Sequence, residues 1–451
     1  MRILIVGGSD AGISAALRAR EYAPESTVTM LVADAYPNFS ICGIPYHLSG
    51  EVPDWRDLAH RTTAEIEATG IDVRINHTVT AINPATKTLT ATAPDGPVEL
   101  TFDRLVIGTG AEPLRPPIGG LDRLGLADGV HLLHTMDEAR RLDADLEERG
   151  VRRVVIIGAG YIGIEMAEAL TTRGIGVTVL ERLDSVLPRT LDHELASEIT
   201  AELRQHGVEV RCGTTVTEVR RDGGELSVVA DDGKRNADVV LVVSGVTPAT
   251  ELAAASGVQV NDHGAIIVDR QMRTNLPDVW AAGDCVRTHH ALLTEPAYVP
   301  LGTTAHKQGR IAGENATGGT KEFAGIVGTQ VVRVFDCVVA ATGLRDQEAA
   351  AAGYTPLTVQ TTADDHKRYC PGATPIHISL TGDRNTGGLL GAQLVGTHGA
   401  EIAKRVDTYA VALQHGLTVE QLLDLDLAYT PPLGSPWDAI QLAAQNWLAA
   451  R

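Results

Sequence analysis

Basic charge is what this chain conspicuously lacks: Lys and Arg total 38 against 57 Asp and Glu, a formal net charge of -19. That balance excludes a phosphate-tracking nucleic-acid binder and a polybasic membrane anchor, and an anionic substrate would need a local basic pocket. Long apolar runs are missing too, none approaching the roughly 18 residues that span a bilayer. The opening MRILIVGG enters a buried-strand pattern with no charged-then-apolar leader, so the reading is a cytoplasmic protein without a membrane partner. Cysteine is scarce: five residues, at 42, 212, 285, 337 and 370, odd in number and irregular in spacing. Such a set resembles neither a disulfide framework nor a zinc site. What is present is a chain of 451 residues, 44% apolar and 21% charged, enough to bury a large core and to divide into two to four domains.

Two stretches carry the pattern strand, glycine-rich turn, helix. RILIVGGSDAGISAALRARE places Gly7 and Gly12 five apart, as in G-x-G-x-x-G, but Ser9 stands where the middle glycine would be. After the next strand, TVTMLVAD, Asp34 is the nearest acidic candidate for a ribose hydroxyl. The second copy, RRVVIIGAGYIGIEMAEAL, has all three glycines, Gly158, Gly160 and Gly163, and GVTVLE ends in Glu181 about 20 residues later. Either loop alone could be a tight strand-to-helix turn. Their repetition about 150 residues apart points instead to two dinucleotides, a flavin partnered with a nicotinamide. Glu181 would accept hydrogen bonds from a free ribose 2'-hydroxyl and repel a 2'-phosphate, which favours NADH, while Arg182 beside it leaves NADPH open.

With these motifs the chain resembles the pyridine nucleotide-disulfide oxidoreductases, closest to their single-cysteine branch of coenzyme A disulfide reductases, NADH oxidases and NADH peroxidases. The resemblance rests on CGIPY (42–46), LVIGTGAEP (105–113, with Thr109 and Gly110), GAGYIGIEMAEAL, TNLPDVWAAGDC (274–285), LGTTAHKQGRIAGEN (301–315) and VGTQVVRVFDCVVAATGL (327–344). It implies an α/β fold of two Rossmann-like dinucleotide-binding domains plus a C-terminal α+β dimerisation domain. The implied boundaries are residues 1–112 and 245–325 for FAD, 113–244 for NAD(P)H, and 326–451 for an interface domain that builds a homodimer and lends residues to the partner's active site. It carries the flavin ribityl contact over to Asp284 and the nicotinamide-gating aromatic to Tyr161, and it places Glu165 near the flavin. The alternation in QVVRVFDCVVAATG followed by a helical pattern in GAEIAKRVDTYAVALQHG fits that last domain.

Dithiol members of the family carry C-x4-C, and the resolving position after Cys42 is here His47. Cys42 would then cycle through a mixed disulfide with a substrate thiol, a persulfide, or a sulfenic acid. CGIPYHL reads as a helix start with Pro45 in its first turn, which predicts a lowered thiol pKa. In the peroxidases and oxidases a histidine stands in the first glycine loop; Asp10 matches it, and an acid there does not suit a sulfenate. This favours a low-molecular-weight disulfide, such as coenzyme A disulfide, as the small-molecule partner. The alternatives are an oxidase or peroxidase, a reductase for a persulfide or thiophilic metalloid, and a redox-sensing flavoprotein. The coenzyme A reductases also carry two tyrosine stretches matched by RYCPG and AYTPP, giving Tyr369 and Tyr429, with Cys370 replacing one tyrosine. Arg18, Arg20, Arg61, Lys367 and Arg368 are candidate cations for a coenzyme A phosphate. His289, His290 and His306 lack ligand spacing, so no metal is expected, and Cys212, Cys285 and Cys337 read as packing residues.

Overall fold

A computed structural model describes all of residues 1–451. Arg2–Val6 and Arg153–Ile157 are buried on both faces after their first residue, as strands covered by helices on either side must be. Each is central in its own five-stranded parallel sheet. The first sheet runs in the order Val279–Ala281, Arg104–Ile107, Arg2–Val6, Thr27–Leu31, Ile71–Arg74. The second runs Glu209–Arg211, Gly176–Leu180, Arg153–Ile157, Val239–Val242, Val130–His131. In both, the strand order reverses beside the central strand, and a glycine loop follows that strand into a helix: Asp10–Tyr22 in the first, Tyr161–Thr172 in the second. These are two doubly wound dinucleotide folds. Since the first sheet takes its edge strand from residues 279–281, the chain leaves it, builds the second sheet and returns.

The third sheet is antiparallel, in the order Gln330–Val334, Cys337–Gly343, Leu389–Thr397, Pro375–Asp383, Pro356–Asp364. Helices Ile402–Gln414 and Ala439–Ala450 cover it, burying Tyr409 and Trp447 completely. Two small antiparallel sheets, 78–101 and 216–237, attach to the first and second folds.

Two packing features position the site. Helix Gly302–Ala316 lies against Asp10–Tyr22 so closely that a Cβ on Gly309 would stand 2.1 Å from the Ala11 carbonyl oxygen and one on Gly313 2.2 Å from that of Ala15. Only glycine allows this approach. The short helix Ile44–Leu48, with Pro45 in its first turn, inserts Ile44 and Leu48 into the core of the second fold beside Ile164. The Cys42 segment thereby spans the first two folds.

Candidate active site

Both glycine loops are closed by backbone contacts that forbid a side chain. A Cβ on Gly7 (φ +109°) would meet the Gly108 carbonyl oxygen at 2.1 Å, and one on Gly12 the Gly7 oxygen at 2.0 Å. In the second loop Gly158 (φ +112°) and Gly163 meet the oxygens of Val243 and Gly158 at 2.5 and 2.1 Å. Gly160 and Gly110 face the other way, with nothing within 4 Å of a Cβ. Neither following helix has a side chain capping its first amides, which leaves those N–H groups for an anionic ligand. Beside the first loop Tyr298 Oη is buried without a hydrogen-bond partner, close enough to Asp284 to be pushed well above the usual phenol range by burial and by that carboxylate. The orphaned hydroxyl with uncapped amides at the first loop, and the open Gly160 face with uncapped amides at the second, fit bound dinucleotides.

The other cofactor candidates lie around these loops. Asp34, half-buried, accepts from the Tyr36 N–H at 2.9 Å, and burial raises its pKa. Thr109 Oγ1 donates to the Ala249 carbonyl at 2.6 Å. Burial, with Asp10 nearby, pushes Asp284 up to about 6. Tyr161 opens the second helix, its phenol raised by burial. Glu181 closes its strand, and its carboxylate accepts from the N–H groups of Ala159 and Leu183, both at 2.8 Å.

Cys42 is solvent-exposed in the turn Ile41–Gly43, just before the helix Ile44–Leu48. Its neighbours correct one expectation: although part of the residue reaches solvent, the thiol pKa is raised, first by the protein packed around the sulfur and then by the carboxylates of Glu165, Asp10 and Asp284. The helix is only five residues long, and the Gly43 and Ile44 amides are already bonded to Ser40 and Ile41, so little of a helix-end field is left for the sulfur. His47, at the resolving position, is tied elsewhere: its Nδ1 lies 2.9 Å from the Val52 carbonyl oxygen and its Nε2 3.9 Å from Asp143. Cys285 is buried against the Ile107 and Ala282 carbonyls.

Two charged groups near the Cys42 segment act together. Burial, with Glu168 adding to it, pushes Glu165 up to about 7 against the opposing pull of Arg333. Arg333, on the outermost strand of the third sheet, pairs with Glu51 at 2.5 Å and Glu168 at 3.6 Å, and its guanidinium lies 5.1 Å from the centre of the Tyr46 ring. It ties the Cys42 helix, the second glycine-loop helix and the third sheet together. His306 pairs with Asp10, and no group of three metal-ligating side chains occurs. Glu165 was expected near the flavin, but no local signal could have shown Arg333, which reaches Glu51 and Glu168 from a strand far along the chain.

RYCPG and AYTPP do meet. Tyr369 lies near Tyr429, its phenol raised by its surroundings and by that neighbour, and the Lys367 N–H donates to the Pro431 carbonyl at 3.1 Å. Tyr369 is 74% and Tyr429 45% exposed, with Leu433 and Trp437 at 75% and 50%; Cys370 beside them is half-buried. The candidate cations fare less well. Arg18 is taken by Glu314 at 2.5 Å and Glu21 at 2.7 Å, Arg20 by the Pro24 and Ser26 carbonyls, and Arg368 by Asp364. Arg61 and Lys367 have no carboxylate within ion-pair distance.

The profile of the pyridine nucleotide-disulphide oxidoreductases matches residues 1–309, and that of the dimerisation domain of the same proteins matches residues 329–439. The chain is 34% identical to the NAD(P)H sulfur oxidoreductase (CoA-dependent) of Pyrococcus abyssi over 98% of its own length and 97% of the relative's. The structure of a NAD-dependent persulfide reductase from A. fulgidus superposes with a TM-score of 0.94 at 36% identity, covering 100% of this chain and 83% of that one. The reduced CoADR-RHD of Bacillus anthracis does so with a TM-score of 0.95 at 30% identity, covering 100% and 81%.

Proposed function

We propose that this chain, which belongs to the pyridine nucleotide-disulphide oxidoreductase family, reduces the S–S bond of a low-molecular-weight disulfide of the coenzyme A type through Cys42 as its single redox-active thiol. It is an oxidoreductase that uses FAD and NAD(P)H. The observation that carries the finer reading is the isolation of Cys42: it is exposed at the junction of the two dinucleotide folds, while the resolving position holds a histidine bonded elsewhere. Such a thiol has no resolving partner in its own loop, and in the reduction of a disulfide it takes its second sulfur from the substrate.

In this reading residues 1–112 with 245–325 hold the flavin and residues 113–244 the nicotinamide. Gly7, Gly12, Asp34, Thr109, Gly110 and Asp284 line the first site; Gly158, Gly160, Gly163, Tyr161 and Glu181 line the second. FAD, when bound, relays the two electrons of the nicotinamide hydride to sulfur. The Cys42 thiolate attacks one substrate sulfur, forming a mixed disulfide and releasing the first thiol. Two-electron reduction then frees the second thiol, so that a disulfide and NADH with one proton yield two thiols and NAD. A coenzyme A persulfide would follow the same course and yield a thiol and hydrogen sulfide; the names of the Pyrococcus and A. fulgidus proteins favour this as the second reading. Residues 326–451 would form a homodimer, bringing Tyr369, Tyr429 and Cys370 of one subunit toward Cys42 of the other.

An anaerobic titration tests it. After reduction with NADH, coenzyme A disulfide or persulfide should reoxidise the protein faster than peroxide, and oxygen should follow last when admitted. Cys42→Ser should abolish both sulfur reactions. Undiminished disulfide turnover in Cys42→Ser, or faster reoxidation by peroxide, would refute the proposal.

A further inference from the structure

We propose that Arg345 and Gln393, two residues of the C-terminal fold, are positioning residues for the nicotinamide coenzyme: they fix the segment 182–192, which borders the second dinucleotide site. The inference concerns the coenzyme rather than the disulfide, and it rests on placing the nicotinamide dinucleotide at the second glycine loop. The segment follows Glu181 and is bonded to the site in two places. Its Leu183 N–H donates to the Glu181 carboxylate at 2.8 Å, and its Leu187 N–H donates to the carbonyl of Ala159, inside the glycine loop, also at 2.8 Å. Leu187 is buried with φ +47°, a left-handed backbone that a leucine adopts only where its surroundings impose it.

The outer end of the segment is held from far along the chain. The Arg345 guanidinium donates from Nη1 to the carbonyls of Pro188 at 2.9 Å and Leu191 at 3.2 Å. Its Nη2 is bonded to Glu348 at 2.8 Å, so the fork is aimed before it meets the segment. Gln393 is the one polar side chain in LLGAQLV, the buried run of the strand Leu389–Thr397. A buried amide must be paired, and this one closes a reciprocal pair with Asp192. Its Oε1 accepts from the Asp192 N–H at 2.6 Å and its Nε2 donates to Asp192 Oδ2 at 2.7 Å. Asp192 stands at the N-cap of the helix His193–Gln205, where an aspartate ordinarily accepts from that helix's own amides. Here its side chain caps nothing and turns to Gln393, so a helix cap is given up for a bond between folds.

A plain tie between the two folds would serve equally well on the body of that helix, and one exists there: His377, from the strand Pro375–Asp383, is bonded to Glu198. Arg345 and Gln393 instead take residues 188, 191 and 192, the stretch that leads back to Leu187 and the glycine loop. The consequence is thermodynamic. A coenzyme binds only molecules whose segment already occupies the bound arrangement, and the apparent affinity is the intrinsic one reduced by that fraction. Hydrogen bonds from the C-terminal fold keep the fraction high, so that fold sets the coenzyme affinity of a site to which it contributes no ligand.

Binding and half-reactions of the FAD-loaded enzyme test this. Arg345→Met, Arg345→Lys and Gln393→Leu are compared with the unaltered protein in three measurements, the flavin absorbance confirming the fold of each. These are the NAD dissociation constant by titration, kcat and KM for NADH, and reoxidation of dithionite-reduced enzyme by coenzyme A disulfide. If loss of the bonds leaves the segment in place in about one molecule in ten, the NAD dissociation constant and the NADH KM rise about tenfold in Arg345→Met and Gln393→Leu. kcat and disulfide reoxidation should not change, and Arg345→Lys should recover part of the affinity. His377→Gln severs the tie on the helix body and should leave the NADH KM as it was. An unchanged NAD dissociation constant, losses of equal size in both half-reactions, or a rise in His377→Gln as large as in Gln393→Leu would overturn the assignment. Glu181→Ala checks the placement of the coenzyme itself. Should it leave the preference between NADH and NADPH unaltered, the placement fails, whatever Arg345 and Gln393 do, which keeps the two failures distinguishable.

Discussion

Glu165→Gln should stabilise the protein above neutral pH and leave it unchanged in acid. The carboxyl lies among Glu168 and Tyr161 on its own helix, Tyr46 and Cys42 on the neighbouring segment, and Arg333 from the third sheet. Burial and the charge of Glu168 outweigh the attraction of Arg333, so its pKa moves from 4.5 to about 7. At about 1.4 kcal/mol per pH unit, that displacement corresponds to about 3 kcal/mol of disfavoured ionisation. The sign follows from where each state titrates. Below pH 4.5 the carboxyl is protonated whether the chain is folded or not, and it has no effect on stability. Between 4.5 and 7 only the unfolded chain ionises, so stability falls as pH rises, and above 7 the full deficit persists. Glutamine keeps the shape and the hydrogen-bonding atoms but cannot ionise, so it removes the deficit. Unfolding of the holoenzyme and the variant, compared by denaturant midpoint at pH 5 and pH 8, should show a gain for Glu165→Gln at pH 8 that shrinks to less than about 1 kcal/mol at pH 5. A gain of equal size at both pH values would trace the effect to packing, and a loss at pH 8 would show that Glu165 is ionised and held by Arg333 instead.

This balance of charges is also where reading along the chain reached its limit. The two glycine loops were legible because a strand, a tight turn and a helix are local, and their φ values and close backbone contacts require glycine at Gly7, Gly12, Gly158 and Gly163. Cys285 was legible as a packing residue, lying as it does in a buried apolar stretch. The protonation of Cys42 was not: the helix start at Pro45 is real, but the field at the sulfur comes from residues 10, 165 and 284, which only the packed fold assembles. The same holds for Arg18. Its position on the first helix suggested a free cation, and Glu314, from a helix nearly 300 residues away, claims it. Arg333 read as one residue of an alternating strand, yet it joins three parts of the fold because the third sheet's edge happens to reach the Cys42 helix.

Glu181 predicts a coenzyme preference: catalytic efficiency with NADH should exceed that with NADPH by at least about tenfold, a difference of about 1.4 kcal/mol. Equal efficiencies would mean that Arg182 governs the 2'-position. Arg333→Ala should lower the unfolding free energy by about 1–3 kcal/mol, since it leaves Glu168 half-buried without its cation, and Arg333→Lys should recover part; no change would make the bridge a surface contact of little worth. The last prediction concerns Cys370, beside Tyr369 and near Tyr429 on an exposed aromatic face. If a homodimer places that face over the partner's Cys42, the two thiols are near each other without being bonded, because a disulfide needs Cα atoms within about 4.4–6.8 Å. Mild oxidation followed by non-reducing electrophoresis should then give a covalent dimer that disappears in Cys370→Ser and in Cys42→Ser alike. A band that survives either substitution, or no band at all, would return Cys370 to filling the space of a tyrosine.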